Sequence, residues 1–479
     1  MSKGVIYSLI SRLIFVLGGY VMHICLARLL GPARYGTFGI CIAIITICYV
    51  VLGNGVRQSV SNSVSKKPGS AKYFLQKALV VQVCISLVLG FMLVLFTKYL
   101  AAVFNDPQLV MPLYIVAVVI VVQSLFFVNM GVLNGLKKFR AENVLMGGYG
   151  IAKALAAVLL VYMGMGVIGG LLGFLLGAVF AFVLGTILTR DVPGSEYTNV
   201  RINSLLRHAL PIMVMFGAMT VIMNADLLAV KLFITDGRFA GYYTSAATIS
   251  RLIYWYFAAF GIVLLPFVSS TFTSGESKQM VKYIDDVVRY SLLMILPVIL
   301  LISIYSHDII GLVYGSEYRD AGMILAVLIW GLMLLGIAYV FSSIMIGMEG
   351  ERTMVLYSLL GIAAAVITNT ILVPVIGPIG GAISTMISAA VIVILPFFYV
   401  RRRHGLSVEV GSIAKVGIAL TAVLLVAIVT ISIPVSFVVK FIALYTLYVV
   451  VLYATREVRQ PDFEILANLF RQRVHIERG

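Results

Sequence analysis

Fourteen stretches of this chain each approach the ~20 apolar residues that a helix needs to cross the hydrocarbon of a bilayer, and only short polar connections separate them. Such a chain has no route to a water-soluble globule. The sequence is 61% hydrophobic and 11% charged, with a mean hydropathy of +1.08, too little polar surface to coat 479 residues. Backbone polar groups inside hydrocarbon must be satisfied within the fold, and apolar runs of this length do so as helices. The expected fold is an all-α integral membrane bundle.

The expected spans are 5–27, 36–56, 74–97, 109–133, 144–163, 167–189, 205–233, 243–267, 287–305, 322–346, 355–373, 379–400, 413–433 and 435–453. The first lacks an A-x-A-like cleavage site and is long enough to cross, so it reads as a span and not as a removable signal. No connection is long enough for a soluble catalytic domain, which argues against an enzyme and offers no catalytic residue. Cys25, Cys41, Cys48 and Cys84 fall in or at the ends of spans. They read as small hydrophobes, not as metal ligands or disulfides.

Fourteen spans place both termini on one side. Of the 35 Lys and Arg, Arg28, Arg34, Lys98, Lys231, Arg238, Arg319 and Lys440 fall on the opposite side, Lys153 and Arg251 lie inside spans, and the other 26 sit on the terminal side. That bias is the positive-inside pattern, so a multi-pass protein of the cell membrane with both termini cytoplasmic is expected. The sequence pI of about 9.6 then reports topology and attraction to anionic lipid headgroups. Nucleic acid is not an expected partner, because no basic residues are interleaved with base-stacking aromatics in a folded domain.

The sequence also repeats. Arg34-Tyr35-Gly36-Thr37-Phe38 at span 2 is echoed by Arg238-Phe239-Ala240-Gly241-Tyr242-Tyr243 at span 8, the glycines 205 apart. Leu133-Asn134-Gly135-Leu136 resembles Met345-Ile346-Gly347-Met348, 212 apart, and Gly166-Val167-Ile168-Gly169-Gly170 matches Gly377-Pro378-Ile379-Gly380-Gly381, 211 apart. Spans 1–6 and 7–12 therefore read as two pseudo-symmetric six-helix lobes around a central cavity, related by an axis along the membrane normal. The expected units are an N-terminal lobe (1–200), a C-terminal lobe (201–404), two added helices (405–455) and a cytoplasmic tail (456–479). Gly169, Gly173 and Gly177 form a small-xxx-small stripe that reads as helix packing.

Ala27-Arg28-Leu29-Leu30-Gly31-Pro32-Ala33-Arg34-Tyr35-Gly36-Thr37-Phe38 and Tyr314-Gly315-Ser316-Glu317-Tyr318-Arg319-Asp320-Ala321, with the plan of two six-helix lobes plus two helices, resemble the polysaccharide flippase (Wzx-like) branch of the multidrug/oligosaccharidyl-lipid/polysaccharide exporter superfamily. The resemblance implies a monomeric, non-enzymatic flippase moving polyprenyl-diphosphate-linked oligosaccharide from the cytoplasmic to the outer leaflet by alternating access. Membrane lipids and glycan-assembly enzymes are the implied partners. It further implies that the last two helices dock the lipid tail, a structural brace being the alternative.

A diphosphate headgroup needs a wet, cationic path, because stripping it bare into hydrocarbon costs on the order of tens of kcal/mol. Ionisable residues inside spans are therefore functional candidates. Arg251 is the first: Thr244, Thr248, Arg251 and Trp255 recur on one helical face, and a guanidinium grips phosphate oxygens bidentately. Lys153 is the second, too deep to snorkel easily. Arg12 and Arg57, with Asn54 nearby, would form the cytoplasmic entrance. Asp226, the one carboxylate clearly inside a span, is the candidate for Na⁺ or H⁺ coupling, and a salt bridge to Arg251 is the competing role. No cofactor or metal is expected. Two other readings stay open: an ion-coupled drug exporter of the same superfamily, and a membrane-embedded glycosyltransferase or polymerase. The exporter would favour acids in spans 1–6, which contain none. The enzyme would need a carboxylate-bearing loop, and the longest external connection has only Asp308, Glu317 and Asp320, with no D-x-D spacing.

Overall fold

The computed structural model describes residues 3–194, 202–405, 410–430 and 432–457. Among these, the regular elements are all helical. In chain order they are α1 (Lys3–Tyr49), α2 (Val56–Lys66), α3 (Ala71–Val103), α4 (Val110–Gly135), α5 (Phe139–Leu160), α6 (Gly166–Leu188), α7 (Ile202–Phe233) and α8 (Gly237–Thr273). There follow α9 (Ser277–Ile304), α10 (Ser306–Tyr314), α11 (Ala321–Gly347), α12 (Glu351–Ile376), α13 (Pro378–His404), α14 (Val410–Thr430) and α15 (Phe437–Ala454).

Eleven helical runs are long and apolar enough to cross a membrane, and a shorter apolar helix runs over Ala414–Thr430. Two of the eleven are pairs of spans. Leu17–Tyr49 breaks at Gly31, whose φ of 71° and ψ of 168° suit glycine almost alone; Pro32 then opens the second segment, where its missing N–H costs nothing. Phe139–Leu188 breaks at Gly164 and Gly166. Splitting both runs and adding the shorter helix gives the fourteen expected spans among the described residues, so the protein is a multi-pass membrane protein. Their outward faces carry a dense apolar coat, including Phe91, Leu155, Val366 and Ile442, the surface a bilayer covers.

The repeat is written into the backbone. Gly166 (φ 57°, ψ −142°) and Gly377 (φ 65°, ψ −147°) adopt nearly the same left-handed turn before α6 and α13. Lys137 and Glu349, both at φ 57°, occupy equivalent positions after α4 and α11, where a non-glycine residue rarely enters this region. These are the same helix boundaries at which the sequence echoes fall.

Two details depart from the sequence reading. The connection before span 10 is not a loop: it folds as α10 and a one-turn 3-10 segment at Ser316–Tyr318. Span 2 is not a uniform helix either, because Val50–Gly55 is π-helical between α1 and α2. The wide turn leaves the Leu52 carbonyl to accept a bond from Gln82 Nε2 at 2.9 Å.

The two halves touch at both ends of the bundle. At the end marked by Gly31, α1 crosses α8 at backbone distance: a methyl on Gly36 would stand 2.6 Å from the Gly241 nitrogen, and one on Gly241 would overlap the Pro32 carbonyl. Lys231 of α7 bonds Asp106, before α4, at 2.7 Å, and both are largely buried. At the opposite end α7 lies on the π-helical segment and α2, with Gly217 against Val50. The added helices α14 and α15 pack against α9.

Candidate functional site

Between these two contacts, α1, α5 and α8 bring three basic side chains toward one another. Arg251, half-buried on α8, donates from Nη2 to Asn224 Oδ1 at 2.9 Å and to the Met223 carbonyl at 3.3 Å on α7. Asn224 is itself fixed by donating to the Thr220 carbonyl at 2.7 Å, which turns its amide oxygen toward the guanidinium. Arg251 is thus anchored by neutral groups, and among the described residues no carboxylate forms an ion pair with it.

Lys153 is buried on α5, its Nζ 4.7 Å from the Phe174 ring centre and 5.1 Å from that of Tyr149, within cation–π range. The glycine stripe explains its placement. Gly177 of α6 lies against the Lys153 backbone and Cβ, and Gly173 against Ala157, so α5 and α6 approach too closely for larger residues.

The third basic group, His23 on α1, is absent from the candidates chosen by sequence. Its Nδ1 lies 3.0 Å from the Tyr35 hydroxyl, and its ring packs 5.9 Å from Phe38, which stands 6.0 Å from the Phe174 ring that Lys153 faces. The signal was present: an imidazole inside an apolar span falls under the same rule that selected Arg251 and Lys153, but a charge count at neutral pH passes over it.

The other candidates lie as follows. Thr248 is buried, its hydroxyl donating to the Thr244 carbonyl at 2.7 Å. Trp255 is 58% exposed and meets Tyr254 edge-on at 5.2 Å. Arg57 is committed to Glu142 at 2.8 Å; the second Glu142 oxygen accepts from Asn134, which accepts in turn from Ser61. That chain binds α2, α4 and α5 at the end opposite Gly31. The side chains of Arg12 and Asn54 lie outside the described residues.

Asp226 does not form a salt bridge with Arg251. It is 1% exposed, and its Oδ2 accepts from the Tyr243 hydroxyl at 2.6 Å and Thr385 Oγ1 at 2.7 Å, while Oδ1 accepts from the Leu227 amide at 2.7 Å. A carboxylate held by hydroxyls and an amide, with no cation bonded to it among the described residues, can exchange a proton or take a small cation. Among the described residues no group of three or more His, Cys, Asp or Glu is placed to hold a metal ion.

The two sequence motifs meet in space. Tyr318 donates to the Ala27 carbonyl at 2.8 Å, and Arg28 donates to the carbonyls of Val313 at 3.0 Å and Leu312 at 2.7 Å. The Tyr35 ring lies 6.3 Å from Tyr314 and 6.1 Å from Tyr318. Segments 285 residues apart in sequence together close the Gly31 end just beyond His23.

A fourteen-span bundle of two repeated halves, with basic groups gathered between them, defines a multi-pass membrane protein of transporter architecture. The chain belongs to the family described as polysaccharide biosynthesis protein, whose model matches residues 25–323. It is similar to the probable low-salt glycan biosynthesis flippase Agl15 of Haloferax volcanii, 24% identical over 36% of this chain and 37% of that protein. An uncharacterized membrane protein of Methanocaldococcus jannaschii, MJ1375, is 23% identical over 84% of this chain and 98% of its own length. The alignments with Agl15 and with the Bacillus subtilis lipid II flippase MurJ span only 37% and 28% of those proteins. Among solved structures, an inward closed MurJ superposes with a TM-score of 0.78 at 17% identity, covering 94% of this chain and 99% of that one. An inward-facing multidrug transporter of the MATE family superposes at 0.60 and 16% identity, over 84% and 98%. These likenesses fix the fold, and the relatives whose names state a function are flippases and transporters, not enzymes.

Proposed function

We propose that this protein is a flippase that carries polyprenyl-diphosphate-linked oligosaccharides from the cytoplasmic to the outer leaflet by alternating access. The observation that carries the reading is Arg251: a basic side chain inside a span, oriented by Asn224 and a backbone carbonyl and free of any carboxylate ion pair among the described residues. A purely structural arginine would be neutralised where it is buried; this one keeps its charge for a ligand. Lys153 supplies a second cation from the other half, so a diphosphate between them would be held by both lobes at once. The named function of Agl15 supports the same substrate class.

In this reading residues 1–200 and 201–404 are the moving lobes, and 405–455 guide or brace the lipid tail. The excess of Lys and Arg at the terminal side makes that side cytoplasmic, which puts the Gly31 end at the outer face. Asp226 is the coupling group for Na⁺ or H⁺. The protein acts as a monomer alongside glycan-assembly enzymes. The decisive experiment follows a labelled prenyl-diphosphate oligosaccharide in vesicles containing the full chain. Arg251→Ala should lose transport by one to two orders of magnitude, about the 1.5–3 kcal/mol of a charged hydrogen bond, and Arg251→Lys should retain part of it. Unchanged transport by Arg251→Ala would remove the arginine from the site.

A further inference from the structure

His23 occupies a position that neither cation shares. It links the basic cluster to the outer closure: its ring packs 5.9 Å from Phe38, which stands 6.0 Å from the Phe174 ring that Lys153 faces, and its Nδ1 partner, Tyr35, belongs to the aromatic group with Tyr314 and Tyr318 that seals the Gly31 end. The titratable and charged groups facing it are Tyr35 from the second segment of α1, Lys153 from α5 and Arg251 from α8, with Tyr20 three residues earlier on its own helix. Among the described residues no carboxylate is bonded to it. It is half-buried. An anion bound beside an imidazole favours its protonated form.

We propose that His23 is a charge-sensing ligand of the headgroup site, which takes up a proton when a diphosphate binds between Lys153 and Arg251 and passes the change to the outer closure through Tyr35. The proton comes from water and ends on the imidazole; no other bond is made or broken. A neutral ring can accept from the Tyr35 hydroxyl at Nδ1. The imidazolium can only donate there, so the Tyr35 hydroxyl must turn its own proton away from His23, within the aromatic group it forms with Tyr314 and Tyr318. Loading of substrate thereby rewires the bonds that hold the outer end shut.

The inference rests on the flippase reading, and the test separates the two. Isothermal titration of the full-length protein in lipid nanodiscs with farnesyl diphosphate, in two buffers of different ionisation heat, counts protons taken up per ligand bound. The parent at pH 7 should take up about one proton more than His23→Gln, and its affinity should fall with rising pH more steeply than the variant's. Inorganic diphosphate should show no such uptake; an equal response would assign the site to free diphosphate and overturn the lipid-linked part. Equal proton counts in the parent and in both His23→Gln and His23→Asn would overturn the inference and leave the flippase reading standing. Absence of diphosphate binding by the parent would overturn both. A parent that binds without any uptake sinks the inference whether or not a variant folds.

Discussion

The two ends of the bundle are closed by different physics. At the Gly31 end, closure is polar and backbone-tight: Gly36 and Gly241 meet with nothing between them, Tyr318 and Arg28 bond carbonyls across the halves, and Lys231 pairs with Asp106. At the opposite end, among the described side chains, Gly217 stands against Val50, while the polar chain Arg57–Glu142–Asn134–Ser61 stays within one half. Directional bonds give a closure with one geometry and a threshold for breaking. Dispersion contacts are individually weak and separate gradually. On the proposed flippase reading, the difference makes the Gly31 end the latch and the other end the swinging side.

Gly241→Val breaks the comparison most severely. A side chain there has to displace the Pro32 carbonyl, and overpacking of this kind costs about 1–3 kcal/mol or more. Transport should be abolished, and paired cysteines across the Gly31 end should lose crosslinking efficiency; retained crosslinking would show that the glycine contact does not define the closure. Lys231→Met is next. It leaves Asp106 charged and largely buried, at about 3–5 kcal/mol for breaking a buried pair, partly relieved by water at the surface. Asp106→Asn in the Lys231→Met background should recover part of the loss, and a double-mutant cycle with zero coupling would dissolve the latch.

A third variant asks whether the swinging side is steadied from outside the two halves. Glu457 accepts from Arg289 and Ser412 and pairs with Lys415 at 3.1 Å, tying the chain after α15 to α9 and α14. Burial raises its pKa, but the bonds from Ser412, Arg289 and Lys415 outweigh it and hold the carboxyl below the usual glutamate range. A depressed folded-state pKa contributes stability that is present above the unfolded value, about 4.3, and is lost as pH falls through the folded one. Melting temperature should therefore drop more between pH 7 and pH 4 in the parent than in Glu457→Gln, whereas parallel curves would remove the clamp. The smallest effect belongs to Gly217→Ala. A methyl there approaches one side-chain carbon of Val50 at 2.9 Å and no backbone atom, unlike Gly241, so transport should change less than about threefold, or under 1 kcal/mol. A loss equal to that of Gly241→Val would make the two ends alike.

Much of this was legible in the sequence, for identifiable reasons. Apolar run length gave the spans, because hydrocarbon thickness sets it, and the glycine echoes at 36/241 and 166/377 mark a close crossing and a left-handed turn. Arg251 was visible because an intramembrane charge is rare. Its partner was not: Asp226 carried the opposite charge, but Asn224 two residues away carries the bond, and which face of α7 turns inward is a matter of packing. The nine residues of α10 are too few for periodicity to separate helix from loop. His23 was missed because neutrality was assigned before its neighbours were known.

The π-helical turn at Val50–Gly55 fits one residue too many into a rod. Slack of that kind is movable: drawn back into regular winding, it would turn everything beyond it by about 100° and shift it by about 1.5 Å, carrying Arg57 to a new bearing without a proline or a broken rod. One surplus residue is enough to let a single span behave as a crank.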